Sequence, residues 1–418
     1  MSDVNARMID RWFPVAAVDE ACRTPAGSGL TEKAIFTWFA SRPIAQARAA
    51  ALTSLLPDNE ALKPHIEAAV RHGDRAVMAS LAAQVATSYG GRPPVVLDMF
   101  SGRAIIPLEA ARAGAVSIGM DLSPVATLAG RLLADYPARD WSAEPSIPFA
   151  VGMDGNAALG LEAPAAGDKL VRDVELVLAE VDRRVVAQVA RYYPKNALGE
   201  FPWGYIWTTT LPCDRCKRRF PLIGSLLLQP ADQRGSRGLS LKLLTSEDTW
   251  EIEIVEGPPQ QTPTYASGTK ADGKKKKGKA ARCVFCAHVH PLEAVKAKCH
   301  AGQAADKLLL VADTNAAGKR VFRLPTEEER EAAEESDFGV EYGWPYAPVP
   351  DEAIPAGNVH TVMASGYGHR TFGSLMVDRQ ARLFVETAEA IREIHRALLS
   401  NGFSQEYARA LASFAASK

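Results

Sequence analysis

Residues 95–121 read VVLDMFSGRAIIPLEAARAGAVSIGMD, and this stretch decides the fold class. A short apolar run ends at Asp98, the turn-prone Ser101-Gly102 follows, and a segment with helical spacing of apolar residues comes next. Gly114 ends that segment, and a second apolar run ends at Asp121. The order strand, turn, helix, strand predicts a βαβ unit, which forms a parallel sheet through a right-handed crossover. The sequence therefore predicts an α/β fold.

The turn after Asp98 lies at the carboxyl end of a parallel strand, where open α/β sheets bind their ligands. Asp121 follows Asp98 by 23 residues, near the spacing at which an acidic side chain accepts hydrogen bonds from ribose hydroxyls. The turn has one glycine, Gly102, where a pyrophosphate-binding fingerprint needs three. These features favour a nucleoside ligand without a pyrophosphate, such as S-adenosylmethionine. The alternative is that any βαβ unit produces a turn of this kind with an acid after its second strand.

The cysteines predict a metal site. Four of the six form two Cys-x-x-Cys pairs, Cys213 with Cys216 and Cys283 with Cys286. Each pair places two sulfurs on one face of a tetrahedron, so we predict Zn²⁺ held by four thiolates, with unpaired structural thiols as the alternative. Because every position is filled by a thiolate, such a zinc stabilises the fold and does not activate water.

Other residues near these pairs have two interpretations each. His288 and His290 are either substitute ligands or, as we predict, surface residues, while Cys22 and Cys299 are predicted to be ordinary thiols. Residues 203–300 carry sixteen Lys and Arg against nine Asp and Glu, in a chain of net charge −1. This segment either contacts phosphates or is a solvated surface with a flexible Lys-rich loop. The basic residues around the first cysteine pair are Arg215, Lys217, Arg218 and Arg219. The aromatic residues Trp203, Tyr205 and Trp207 either stack on nucleic-acid bases or fill a hydrophobic core.

Composition excludes several classes of protein. The chain has 418 residues and is 47% hydrophobic, enough to bury a core in two or three units. Charged residues within its first eleven positions are unlike a signal peptide, and no apolar run approaches the roughly 18 residues that span a bilayer. Cysteines in metal-type pairs favour a reducing compartment. We therefore expect a soluble, cytoplasmic protein with no membrane contact.

Further motifs lie along the chain, in the order FTWFASRP (36–43), LDMFSG (97–102), IPLEA (106–110), DLSPVA (121–126), GYIW (204–207) and TFGSL (371–375). Together with the cysteine pairs they resemble the zinc-ribbon-containing adenine-specific DNA methylases, whose amino-terminal region is a domain of unknown function. The resemblance covers nearly the whole chain. It implies an incomplete Rossmann-like sheet of the S-adenosylmethionine-dependent methyltransferase type, with an inserted zinc-ribbon β domain and a helical amino-terminal region.

The resemblance also implies site residues. Asp98, Phe100 and Gly102 would approach the methionine part of S-adenosylmethionine, and Asp121 would bind its ribose. The full predicted cofactor site is Asp98, Phe100, Ser101, Gly102, Asp121 and Leu122. Members of the family usually have a run of glycines where this chain has Gly-Arg-Ala at 102–104, which adds side chains near the ligand and restricts the backbone.

Four segments follow from the resemblance and the composition. Residues 1–92 are the helical amino-terminal region and 93–200 the first part of the methyltransferase domain. Residues 201–305 are the zinc-ribbon insertion, in which 268–281 is a Lys-rich loop predicted to be disordered. Residues 306–418 return to the methyltransferase domain.

One motif of the family has no counterpart here. Amino methyltransferases of this class hold the target amine with an Asp/Asn-Pro-Pro-Tyr/Phe segment, and the nearest string, EGPPQ at 256–260, lacks its polar and aromatic members. No catalytic residue can therefore be assigned. We expect a DNA adenine-N6 methyltransferase component whose partners are DNA and a second polypeptide that carries the missing segment. The alternatives are a catalytically inactive zinc-ribbon subunit that binds DNA or protein in restriction–modification or phage defence, and a truncated product.

Overall fold

The computed structural model describes residues 6–23, 42–149, 169–231, 237–267, 278–334, 342–355 and 362–417. The chain divides into two compact units, one formed by Met1–Asp182 with Ala390–Lys418 and the other by Arg183–Glu389. Most of the motif at 36–43 and most of the predicted Lys-rich loop lie outside the described residues. Within the part that is described, no helix is both long and apolar enough to cross a bilayer.

The first unit begins with helices, as the Ala-rich sequence predicts. They are α1 (Val15–Arg23), α2 (Ile44–Leu55), α3 (Lys63–His72) and α4 (Arg75–Ser88). Gly73 ends α3 with a left-handed backbone, and Asp74 begins α4 because its carboxylate accepts hydrogen bonds from the first N–H groups of that helix. Their apolar faces share one buried cluster, which includes Met8, Leu52, Leu56, Ile66, Leu81 and Val85.

The predicted βαβ unit is confirmed. It consists of β1 (Val95–Asp98), α5 (Ile105–Arg112) and β2 (Val116–Gly119). The two strands pair in parallel, with Val95 opposite Val116 and Asp98 opposite Gly119. Both strands nevertheless leave apolar side chains exposed, namely Val95, Leu97, Val116 and Ile118.

The other helices of the first unit include α6 (Pro124–Gly130), the first part of α7 (Lys169–Val189), the last part of the helix Asp378–Ser400 and α11 (Gln405–Ala416). Tyr407 links two of them, because its hydroxyl donates to Asp173 Oδ2 over 2.9 Å. Its buried ring packs 4.7 Å from that of Trp141. An aromatic contact therefore connects segments of the chain that are far apart in sequence.

The second unit contains small sheets. Their strands are β3 (Gly204–Pro212), β4 (Arg219–Pro221), β5 (Leu227–Gln229), β6 (Leu239–Thr245), β7 (Trp250–Glu256), β8 (Tyr265–Ala266), β9 (Ala280–Arg282), β10 (Val289–His290), β11 (Ala305–Thr314) and β12 (Arg320–Arg323). The first sheet has the order β12-β11-β3-β4, the second β5-β6-β7 and the third β10-β9-β8, and every pairing in them is antiparallel.

The helices of the second unit include α8 (Leu292–His300), α9 (Glu327–Glu334) and the first part of α10 (Asp378–Ser400). Two of the aromatic residues considered for base stacking pack around a buried cation instead. The guanidinium carbon of Arg379 lies 4.0 Å from the ring centre of Tyr205 and 5.0 Å from that of Trp207. Both rings are half-buried, and the molecule as a whole is a mixed α/β fold with several small sheets.

Candidate metal centre and cofactor cleft

The two Cys-x-x-Cys pairs lie at the turns of two β-hairpins, β3–β4 and β9–β10. Their four Sγ atoms lie within 4.8 Å of one another. Cys213 Sγ is 3.6 Å from Cys286 Sγ, and Cys216 Sγ is 3.7 Å from Cys283 Sγ. A tetrahedral zinc with Zn–S bonds of about 2.3 Å separates its sulfurs by about 3.8 Å. The predicted four cysteines therefore come together with a geometry that is compatible with a structural zinc.

Both cysteine turns have the same backbone geometry. In the first turn, the N–H of Cys213 donates to the carbonyl of Arg218, and the N–H of Lys217 donates to the carbonyl of Cys213. Cys283 and Ala287 take the equivalent places in the second turn. Lys217 and Ala287 also share a left-handed backbone, with φ of 65° and 58°. Because this conformation costs a non-glycine residue about 1 kcal/mol or more, its repetition indicates a turn geometry that both hairpins require.

The thiols differ in their electrostatic environment. Burial raises the pKa of Cys283 to about 12 and also raises the pKa of Cys213. The backbone N–H of His288 lowers the pKa of Cys286 to about 7. A metal ion binds thiolates, so its binding must release the protons of the buried pair.

The two histidines do not join the four cysteines. Their ring nitrogens lie within 4.8 Å of each other and of a carboxylate oxygen of Asp214. His290 Nδ1 is 3.1 Å from Asp214 Oδ2, and Lys298 Nζ donates to Asp214 Oδ1 over 2.6 Å. The expectation of a surface residue is wrong for His290, which is 1% exposed because its ring stacks on Phe220. Burial lowers the pKa of His290, so the neutral ring donates Nδ1–H to the carboxylate, which can only accept.

The basic side chains of the first cysteine turn form two groups, those that contact other parts of the protein and those that do not. Arg219 donates to backbone carbonyls, and Arg218 lies over the ring of Phe285, with its guanidinium carbon 5.2 Å from the ring centre. The side chains of Arg215 and Lys217 are exposed and make no hydrogen bond or ion pair with the described residues. Arg215 and Lys217 therefore present unpaired cations to a binding partner.

A cleft of about 640 Å³ opens at the carboxyl ends of β1 and β2. It is lined by the whole predicted cofactor set, Asp98, Phe100, Ser101, Gly102, Asp121 and Leu122. Phe100 is 87% exposed, so the cleft is open to solvent on that side. Arg42 and Arg103 also line this cleft, although neither belongs to the predicted cofactor set.

Asp121 shapes the cleft as well as lining it. Its Oδ2 accepts a hydrogen bond from Gly102 N–H and its Oδ1 accepts one from Ser123 N–H, both over 2.8 Å. A carboxylate accepts roughly four hydrogen bonds, so capacity remains on each oxygen for a ligand hydroxyl. Asp98 Oδ1 accepts a hydrogen bond from Phe100 N–H over 3.1 Å, which leaves Oδ2 without a partner among the described residues.

The turn between β1 and α5 requires close approach of several backbones. Gly102 and Ala104 both have a left-handed backbone, with φ of 52° and 64°. A Cβ added at Gly130 would lie 3.0 Å from the buried Cβ of Ala104. A Cβ added at Gly119 would lie 3.0 Å from Pro107 Cγ. Glycine at these two positions therefore lets the turn pack over β2 and α6.

The cysteine cluster lies in the second unit and the cleft in the first. No family model matches the chain, and comparison with curated proteins and with solved structures gives no significant match. The chemistry of each site therefore has to be argued from the geometry of its own residues.

Proposed function

We propose that the chain is the cofactor-binding component of an S-adenosylmethionine-dependent DNA adenine-N6 methyltransferase, acting in the cytoplasm in restriction–modification or phage defence. The observation that carries the proposal is the convergence of six expected cofactor residues on one cleft at the carboxyl ends of β1 and β2. Open α/β sheets bind their ligands at this edge. In this proposal β1 and β2 are the first two strands of a Rossmann-like sheet.

The cleft offers a group for each part of the cofactor. When bound, S-adenosylmethionine would supply a methyl group activated by its sulfonium charge. The spare acceptor capacity of Asp121 suits the two ribose hydroxyls, and the free oxygen of Asp98 suits the methionine ammonium. Arg42 provides a cation for the methionine carboxylate, and the exposed side chain of Leu122 provides apolar surface for the adenine ring.

The exposed strands support a second polypeptide as partner. Parallel sheets normally have both faces covered, yet Val95, Leu97, Val116 and Ile118 are all exposed. We propose that a separate chain adds further strands and carries the Asp/Asn-Pro-Pro-Tyr/Phe segment that holds the target amine. Positioning of the donor methyl group and the acceptor nitrogen supplies much of the rate of such a transfer. The component alone would bind the cofactor and transfer nothing.

Calorimetry with S-adenosylmethionine and its demethylated product tests the cofactor site. Asp98→Asn is a better test than a substitution of Asp121, because the Asp121 carboxylate also holds the turn and its removal would disturb the cleft. A charge-assisted hydrogen bond is worth about 1.5–3 kcal/mol, so Asp98→Asn should weaken binding about tenfold or more. The matched control is Asp19→Asn, an exposed acid on α1 outside the cleft. Equal affinity of the wild type and Asp98→Asn would contradict the assigned site.

The second part of the proposal is a zinc ribbon formed by the two cysteine hairpins. Elemental analysis should find about one zinc per chain, since one set of four thiolates is present in the described residues. Cys283→Ser should lose the metal and unfold the hairpins, whereas Cys22→Ser, which removes an exposed cysteine, should retain it. A folded wild type without metal would contradict the assignment.

A catalytically inactive subunit that binds DNA or protein through the zinc ribbon is the second candidate. The observation that favours it is the pair of exposed cations at the first cysteine turn, Arg215 and Lys217. Cations placed this way contact phosphates without reading sequence. Three results together would support this candidate over the first. The wild type would shift duplex DNA in a gel, the Arg215→Ala/Lys217→Ala variant would not, and the wild type would bind no cofactor with or without its partner.

A further inference from the structure

We propose that Asp214 is a positioning residue of the metal centre, whose carboxylate holds the first cysteine turn against the second hairpin and α8 and thereby slows the loss of zinc. The proposal rests on the zinc assignment above. Asp214 itself lies between Cys213 and Cys216 and is not a metal ligand in this arrangement.

The two carboxylate oxygens of Asp214 bind two different elements. Oδ2 accepts a hydrogen bond from His290 on β10 over 3.1 Å, and Oδ1 accepts one from Lys298 on α8 over 2.6 Å. The first turn therefore makes polar contacts to the second hairpin and to the helix that follows it.

The groups that hold Asp214 are themselves held in place. His290 is buried and stacks on Phe220 of β4, with ring centres 5.3 Å apart and an angle of 21° between the planes. The side chain of Lys298 is only 13% exposed. Because neither partner can move freely, the carboxylate between them restricts the position of the first turn.

This restriction matters for the metal because zinc leaves when cysteine sulfurs move apart. Cys213 and Cys216 are joined to the other cysteine pair through the metal and through the packing of the two hairpins. With Asp214 in place, a sulfur that detaches from zinc stays close to the other three and binds again. Removing interactions that orient metal ligands typically costs ten- to a hundredfold in metal affinity, so an effect of about tenfold is expected here.

The same residues have a second interpretation, as ligands of a second metal ion, since Asp214, His288 and His290 present ligand atoms within 4.8 Å of one another. Lys298 argues against it. Its ammonium group already lies 2.6 Å from Asp214 Oδ1 and would repel a divalent ion bound to the same carboxylate. Metal stoichiometry separates the two interpretations.

The test is the rate at which the zinc-loaded full chain transfers zinc to an excess of a chromogenic chelator. Asp214→Ala should release zinc about tenfold faster than the wild type, and Asp214→Asn, which keeps an acceptor oxygen, should be intermediate. Lys298→Met should also speed release, because it removes one of the two contacts. The matched control is Asp351→Ala, which removes an exposed acid of the same unit outside the cysteine hairpins and should leave the rate unchanged.

A spectroscopic measurement separates positioning from general instability. The Co²⁺-substituted wild type and Asp214→Ala should have the same tetrahedral thiolate spectrum at saturation and differ in the rate at which that spectrum disappears with chelator. Equal rates in zinc-containing wild type and Asp214→Ala would overturn the role of Asp214 and leave the zinc assignment intact. A second equivalent of zinc that is lost in His288→Ala would overturn it in favour of a second metal site. A wild type without metal would overturn the zinc assignment and the proposal with it.

Discussion

Replacing Arg48 with methionine should destabilise the first unit by about 3 kcal/mol, because the change breaks a buried ion pair. Arg48 Nε donates to Glu109 Oε2 over 2.7 Å, and Arg48 Nη1 donates to the carbonyl of Ala69 over 2.9 Å. Glu109 is 0% exposed, so water cannot replace the lost donor. The pair joins α5, which follows the cleft turn, to α2.

The magnitude follows from what remains around the carboxylate. Loss of one partner of a buried pair costs about 3–5 kcal/mol, because the other charge stays buried. Arg112 Nη1 still donates to Glu109 Oε1 over 2.6 Å, and it is half-exposed, so it offsets part of the loss and places the expected value at the lower end. Arg48→Met/Glu109→Leu removes both charges together and should recover most of the stability, since apolar replacement of a buried pair is often neutral.

Amide hydrogen exchange in α2 and α5 measures this cost locally, which is preferable to a single unfolding transition in a chain of two units. A loss of less than about 1 kcal/mol in Arg48→Met, the value typical of an exposed ion pair, would show that no buried charge is left unpaired. A double variant as unstable as the single one would show that packing and not the unpaired charge is responsible.

Three further outcomes are expected. Labelled-methyl transfer to adenine-containing DNA should be absent with this chain alone and appear when a polypeptide carrying the Asp/Asn-Pro-Pro-Tyr/Phe segment is added; turnover by the single chain would contradict the proposed division of the site. Gly130→Ala should lower the stability of the first unit by about 1–3 kcal/mol through contact with the Ala104 side chain, and Ala104→Gly should restore it in a thermal melt. Burial alone would raise the pKa of Glu329 and of Asp313. The hydrogen bonds that each carboxylate accepts, among them those from Arg323, instead hold both pKa values below their usual range. A carboxyl group with a lowered pKa in the folded state contributes its full stabilisation above its pKa in the unfolded state. This stabilisation is lost as the pH falls through the pKa of the folded state, so the second unit should weaken below about pH 4. Arg323→Met should reduce the stability lost between neutral pH and acid, because without Arg323 the folded pKa of both carboxyls rises toward the unfolded value. Denaturant unfolding followed by circular dichroism at several pH values measures this loss, and an unchanged loss would rule the pairing out as the cause.

The elements that the sequence predicted well are those specified by near neighbours along the chain. The βαβ unit at 95–121 follows from local apolar periodicity and from turn residues, and both act over a few positions. The four-cysteine cluster was also predictable, because the two thiols of each pair lie three residues apart. Sequence could therefore name the four cysteines and, with the resemblance, six of the residues that line the cleft.

Tertiary structure decided which distant groups meet. His290 follows a cysteine pair with no apolar pattern around it, and only the stacking on Phe220 and the contact with Asp214 bury it. Glu109 belongs to a sequence motif, yet its partner Arg48 lies 61 residues away on another helix. Asp121 was readable as an acid at the end of a strand, but its hydrogen bond to Gly102 depends on how β1 and β2 pair. Local patterns determine backbone conformation because their energies are short-range, whereas the partner of a buried charge is set by which elements pack together once the chain has folded.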